Sequence, residues 1–135
     1  MDLQQATVQE IQLELIRRTR FNAFDGPKIH DSLLRHRDLW IAVLFDQPGL
    51  CDYTRPGKLL TSGLIKLRDL DDNIWNVDRL FILTKSHADA AGIARVAEEE
   101  DWSADIVRCH TDEDEIGRAL GTSERGFGVV TAWWD

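Results

Sequence analysis

Hydrophobic residues recur at two different periods along the 135-residue chain, and the change falls near residue 63. Val8, Ile11, Leu15 and Ile16 stand at helical spacing, which predicts an amphipathic helix over 5–20. Thr7-Val8-Gln9-Glu10 fits a capping box at its start. After the stretch from Phe21 to Pro27, Pro27 suits an early helical position. Ile29, Leu33, Trp40 and Leu44, flanked by Leu34, Ile41 and Phe45, extend a second helical reading to about Phe45. The charged run Arg35-His36-Arg37-Asp38 is where that stretch can split into two helices. Pro48-Gly49 and Arg55-Pro56-Gly57 mark 47–62 as a loop.

Beyond that loop the pattern shortens. Residues 63–68 alternate like a half-exposed strand, with Lys66 and Arg68 suited to a sheet edge. Residues 77–84 carry Leu80-Phe81-Ile82-Leu83 without alternation, as a strand covered on both faces does. Ala90, Ile93, Ala94 and Ala97 form the inner stripe of a helix from about His87 to Glu100. A strand at 105–109, a short helix at 112–120 ended by Gly121 and a strand at 127–134 complete the chain. Strand, helix, strand, helix, strand is the pattern of parallel crossovers. The 17 residues between the last two strands just suffice for one. The expected fold is therefore α/β (or α+β): a four-stranded mixed sheet in which 77–84, 105–109 and 127–134 run parallel. Residues 63–68 form its antiparallel edge, and two or three N-terminal helices pack on it.

Length and composition fit one domain: a helical part over 1–46, a loop over 47–62 and a sheet-containing part over 63–135. An apolar share of 43% excludes disorder. No apolar run reaches the ~18 residues that span a bilayer. The amphipathic, acidic start is unlike a signal peptide, and Cys51 and Cys109 read as reduced thiols of a cytoplasmic protein.

The net charge of −8 is uneven. Residues 1–70 hold ten basic and nine acidic side chains, whereas residues 71–135 hold six and fifteen. That balance argues against nucleic-acid binding. Arg17, Arg18, Arg20, Lys28, Arg35 and Arg37 crowd the first helices, but Glu14, Asp25, Asp31 and Asp38 are interleaved with them. The expected result is a salt-bridged face. The same asymmetry suggests a monomer or a weak, salt-sensitive homodimer.

The stretch RCHTDEDE, residues 108–115, looks most like chemistry. Cys109 and His110 are neighbours on a strand, so their side chains point to opposite faces and do not converge on a metal. The acids that follow suit the first turn of a helix, with Thr111 and Asp114 in capping-box positions. Ser86-His87-Ala88-Asp89 reads likewise as a cap, since triad members come from separate parts of a fold. No glycine-rich phosphate loop is present, and His30 and His36 are too far apart to share a helical face. No cofactor and no metal is implied.

Two readings of function remain. The first is a non-catalytic binding or regulatory domain that meets a basic protein surface. Glu98, Glu99, Glu100 and Asp101 close a helix where the dipole favours cations, and Trp102 beside them could serve as an anchor. The second is a small-molecule binder or enzyme at the carboxyl ends of the parallel strands. That edge would gather Ser62, Thr84, Lys85, His87, His110 and Trp134, with Thr61, Ser86, Thr111 and Asp135 beside them. His87 or His110 would act as acid or base, and Lys85 would hold an anion. Trp133 and Trp134, adjacent on one strand, must face opposite sides of the sheet.

Overall fold

The computed structural model describes residues 2–45 and 65–135. The expected loop at 47–62, with Thr61 and Ser62, lies outside the described residues.

Helix α1 (Val8–Arg17) begins with both halves of the capping box. Glu10 N donates to Thr7 Oγ1 at 3.1 Å, and Thr7 N donates to Glu10 Oε1 at 3.0 Å. A hairpin of β1 (Arg20–Phe21) and β2 (Phe24–Asp25) follows, turned by Asn22 at a left-handed φ of 50°. Asp25 caps α2 (Gly26–Arg35), accepting from Lys28 N. A 3-10 turn at Arg37–Leu39 leads into β3 (Ala42–Phe45). Helix α3 (Ile65–Leu70), β4 (Arg79–Thr84), α4 (His87–Glu99), β5 (Ile106–His110), α5 (Glu113–Leu120) and β6 (Gly128–Trp133) complete the order.

Three expectations are corrected. Residues 42–45 do not continue a helix: they pair with β4, Val43 against Ile82, and alternate between buried and open faces. Four residues offer too few positions for local spacing to separate a strand from a helical turn, so the available partner decides. Residues 65–68, read as an edge strand, belong to α3. Finally, every paired strand is antiparallel, in a two-stranded and a four-stranded sheet; the larger has the order β3-β4-β6-β5. The fold is α+β.

Strands β4 and β5 still run in the same direction, joined through α4, but β6 is inserted between them with the opposite direction. This is a split β-α-β unit. The local sequence is the same whether the third strand lands outside or between the other two. Parallel crossovers were therefore a reasonable but wrong reading.

Helix α4 packs across β4, β5 and β6, while α1 lies against β3 and α2. Leu80, Ile82, Val130, Ala132, Val43 and Phe45 point from the sheet into a core shared with Ile16, Ile29, Leu33, Ile93 and Val96. Trp40, Trp102 and Trp134 are buried there, each with its indole N–H satisfied. They donate to Leu33 O, Ser32 Oγ and Trp102 O at 2.8–2.9 Å. Trp134 also meets Phe24 and Phe45 edge to face. No helix among the described residues is long and apolar enough to cross a membrane.

Candidate functional site

Three places compete for function: the acidic end of α4, the sheet edge where β4 and β5 end, and the sheet face turned away from the helices.

The acidic end of α4 is occupied by the molecule itself. Glu100 pairs with Arg35 and His36, tying α4 to the end of α2. Burial opposes its ionisation, but hydrogen bonds from Arg35, His36 and Ser32 together hold its carboxyl below the usual range. Asp101 adopts a left-handed φ of 51°, and its carbonyl accepts from Lys28 Nζ at 2.6 Å. Trp102 N donates to Ala97 O at 3.0 Å, closing a Schellman-type end that sends Trp102 into the core. With 1% of its surface exposed, Trp102 is no anchor for a partner. Glu98, Glu99 and Asp101 of that run remain exposed, the Asp101 carboxylate accepting from Ser103 Oγ at 3.2 Å. Tertiary pairing thus accounts for Glu100, and the helix stop for Asp101 and Trp102.

The second place is the edge where β4 and β5 end and β6 begins. Thr84, Lys85, Ser86 and His87 do come together there with His110 and Thr111, because Thr84 pairs with Gly128 and His110 with Val129. Trp134 and Asp135 lie at the opposite end, since β6 runs the other way; Trp134 is fully buried. Ser62 lies outside the described residues.

The residues that meet at this edge are held structurally. Thr84 Oγ1 donates to Ser86 O at 2.7 Å, and Ser86 Oγ accepts from Asp89 N to cap α4. Lys85 Nζ stands 3.6 Å from Asp89 Oδ2. Two acids from the first turn of α5 reach the histidines. His87 Nε2 is 2.9 Å from Glu113 Oε1, close enough for an ion pair though not aligned as a hydrogen bond. His110 Nδ1 is 3.6 Å from Glu115 Oε1, while its Nε2 meets Thr131 Oγ1 at 2.8 Å. The cap of α5 is Asp112, not Thr111: its carboxylate accepts from Asp114 N and Glu115 N. Cys109 faces the other way, its thiol donating to Ala90 O at 3.6 Å; burial pushes its pKa up, which leaves it a poor nucleophile. Among the described residues no three potential metal ligands converge.

The third place was missed in sequence. The strand register lays three rows across the sheet face opposite α4. Ala42, Leu83, Val129 and His110 form the first, and Leu44, Phe81, Thr131 and Arg108 the second. Arg79, Trp133 and Ile106 form the third. No described helix covers them: Ile106 is 52% exposed, Leu44 42% and Phe81 36%. An open hollow of about 440 Å³ is lined by Arg79, Phe81, Ile106, Arg108, Thr131 and Trp133, with His110 at one end. Trp133 Nε1 donates to Asp78 Oδ2 at 3.2 Å, which fixes the ring over the sheet.

Neither guanidinium forms an ion pair among the described residues. Arg79 Nε is shielded from solvent and has no acceptor among the described residues. A buried donor without a partner costs about 1–3 kcal/mol. Strands two apart are separated by about 10 Å, so Arg79 and Arg108 flank Trp133 and Thr131 from either side. The signal was present as Arg79-x-Phe81-x-Leu83 and Thr131-x-Trp133. It reads as an outward-facing set only once the sheet is known to be covered on one side.

No family model, curated protein or solved structure matches this chain.

Proposed function

We propose that the protein is a non-catalytic interaction domain whose working surface is the uncovered sheet face, and that its partner is a protein surface carrying apolar groups with carboxylates among them. The observation that carries this is the make-up of that face: exposed Phe81, Ile106 and Leu44 beside Trp133, around the guanidiniums of Arg79 and Arg108, which form no ion pair among the described residues. Antiparallel sheets that show one face to water ordinarily place polar residues on it. Tryptophan and arginine are the side chains on which binding energy concentrates in protein interfaces. A carboxylate arriving at the Arg79 guanidinium would pair a cation that has no ion-pair partner among the described residues. The floor is open and broad, which suits a protein surface better than a small molecule that needs most of its area enclosed.

The favoured partner charge is the reverse of the one the acidic run Glu98 to Asp101 suggested. That run has lost its aromatic anchor to the core and Glu100 to an internal pair.

Two variants distinguish the readings. One is Phe81→Ser with Arg79→Gln, on the sheet face; the other is Glu99→Lys, on α4. For a partner captured from the source cell, the sheet-face variant is expected to weaken the measured Kd at least tenfold, and the α4 variant to leave it unchanged. The opposite result would return the function to a basic partner at the end of α4.

A further inference from the structure

The two edges of the four-stranded sheet are finished differently. At β3 the side-chain amide of Gln9 acts as a substitute strand: its Nε2 donates to Val43 O and its Oε1 accepts from Val43 N, both at 2.9 Å. Helix α1 packs alongside and closes that edge. At the other side of the sheet, β5 pairs with β6 alone. No described residue hydrogen-bonds its outward backbone groups. Its sequence, Ile-Val-Arg-Cys-His, holds no proline or glycine, and its first two residues are β-branched. Natural edge strands are normally blunted by charged side chains, proline, a bulge or a covering element; β5 carries the single charge of Arg108 and none of the others among the described residues.

Each side of this edge offers a different surface. In front lies the hollow with Ile106, Arg108 and Arg79. Behind, between α4 and β5, lies a groove of about 410 Å³ lined by Ala94, Ala97, Ala104 and Val107 together with Glu98, Asp101 and Ser103. A strand laid on β5 sends alternate side chains to these two sides.

Resting on the reading that the open sheet face meets the partner, we infer that β5 is its docking edge: an extended partner segment adds to the sheet as a further strand. It carries carboxylates on the positions facing Arg108 and small aliphatic side chains on those facing the Ala94–Ala97 groove. Main-chain hydrogen bonds supply affinity in this mode, and alternate side-chain pockets supply specificity. A second copy of this chain is the poorer occupant. Antiparallel pairing of two β5 strands would set Arg108 opposite or diagonal to its counterpart, and like charges there are destabilising.

The test uses the intact protein, labelled with 15N, and seven-residue peptides alternating glutamate and valine. Lysine–valine peptides serve as the charge control. Glutamate–valine peptides N-methylated on all glutamates or on all valines serve as the main-chain control. Residues on one face of a strand also share one hydrogen-bonding edge, so one of the two methylated sets must remove the main-chain donors. The glutamate–valine peptide is expected to shift the amide resonances of Ile106–His110 and slow their exchange with solvent. The lysine–valine peptide should bind at least tenfold more weakly, Arg108→Glu should reverse that preference, and one methylated peptide should not bind.

If Leu44, Phe81 and Trp133 respond while the β5 amides do not, or if both methylated peptides bind like the parent, the edge is overturned and the sheet-face reading stands. No response anywhere, or equal binding of both charge types, overturns the edge as well. Protection of β5 that grows with protein concentration in the absence of peptide would assign it to a second copy.

Discussion

Gly128 shows how narrowly single side chains set this architecture. It pairs with Thr84 where β6 starts, and a Cβ there would come within 2.4 Å of Thr84 Oγ1, 2.5 Å of Ser86 O and 2.7 Å of Ala90 Cβ. The carbonyl belongs to the residue that caps α4, so it cannot move without loosening the helix start. Gly128→Ala is expected to destabilise the protein by about 1–3 kcal/mol, measured by urea unfolding; a loss below about 0.5 kcal/mol would show that the turn yields. Glu14 illustrates a charge effect at the same scale. The hydrogen bond from Arg17 holds its carboxyl down to about 2, with Arg18 assisting and partial burial opposing. A depressed carboxylate contributes stability that is present above its unfolded value, near 4.5, and lost as pH falls through about 2. Glu14→Gln should therefore cost up to about 1 kcal/mol at pH 7. The gap between variant and native should close as pH falls from about 4.5 towards about 2. A gap that is constant with pH would show that packing, not charge, was lost.

The short helix α5 joins two roles that its sequence could not separate. The acids at its start suit the helix dipole, but Glu113 and Glu115 also reach His87 and His110 on neighbouring elements. The cap tests the local part. Asp112→Ala should cost about 1 kcal/mol, whereas Thr111→Ala should change stability by less than about 0.5 kcal/mol, as exposed positions usually do. Equal losses would move the cap back to Thr111. The strand β4 carries the element-scale lesson. Leu80-Phe81-Ile82-Leu83 reads as buried on both faces, yet Phe81 stands on the open one. An apolar residue on a water-facing position and one on a doubly covered strand look identical in sequence.

For the whole molecule, the distribution of exposed apolar surface matters more than net charge. Leu44, Phe81 and Ile106 lie outside the buried core, so Phe81→Ser with Ile106→Ser should lower stability by less than the roughly 3–5 kcal/mol that truncating one core phenylalanine costs, as read by urea unfolding. The same double variant should lower partner affinity at least tenfold. A large loss of stability instead would mean that the face is structural and covered within the protein.

Local spacing alone determined that α1 and α4 exist and start at Thr7 and Ser86, that a strand lies in each of 79–84, 106–110 and 128–133, and that Gly121, at a φ of 69°, ends α5. Each of these depends on residues within about one turn or one strand of each other. The direction and order of the strands depended on something else. Whether β6 falls beside β5 or between β4 and β5 changes no local period, only the identity of the hydrogen-bonding partner. The same non-local choice turned 42–45 into a strand by giving it β4 to pair with. It also sent Trp134 into the core and left Trp133 on the open face. Alternation along a strand states that two neighbours face opposite ways, but only the helices packed on one side decide which way is in.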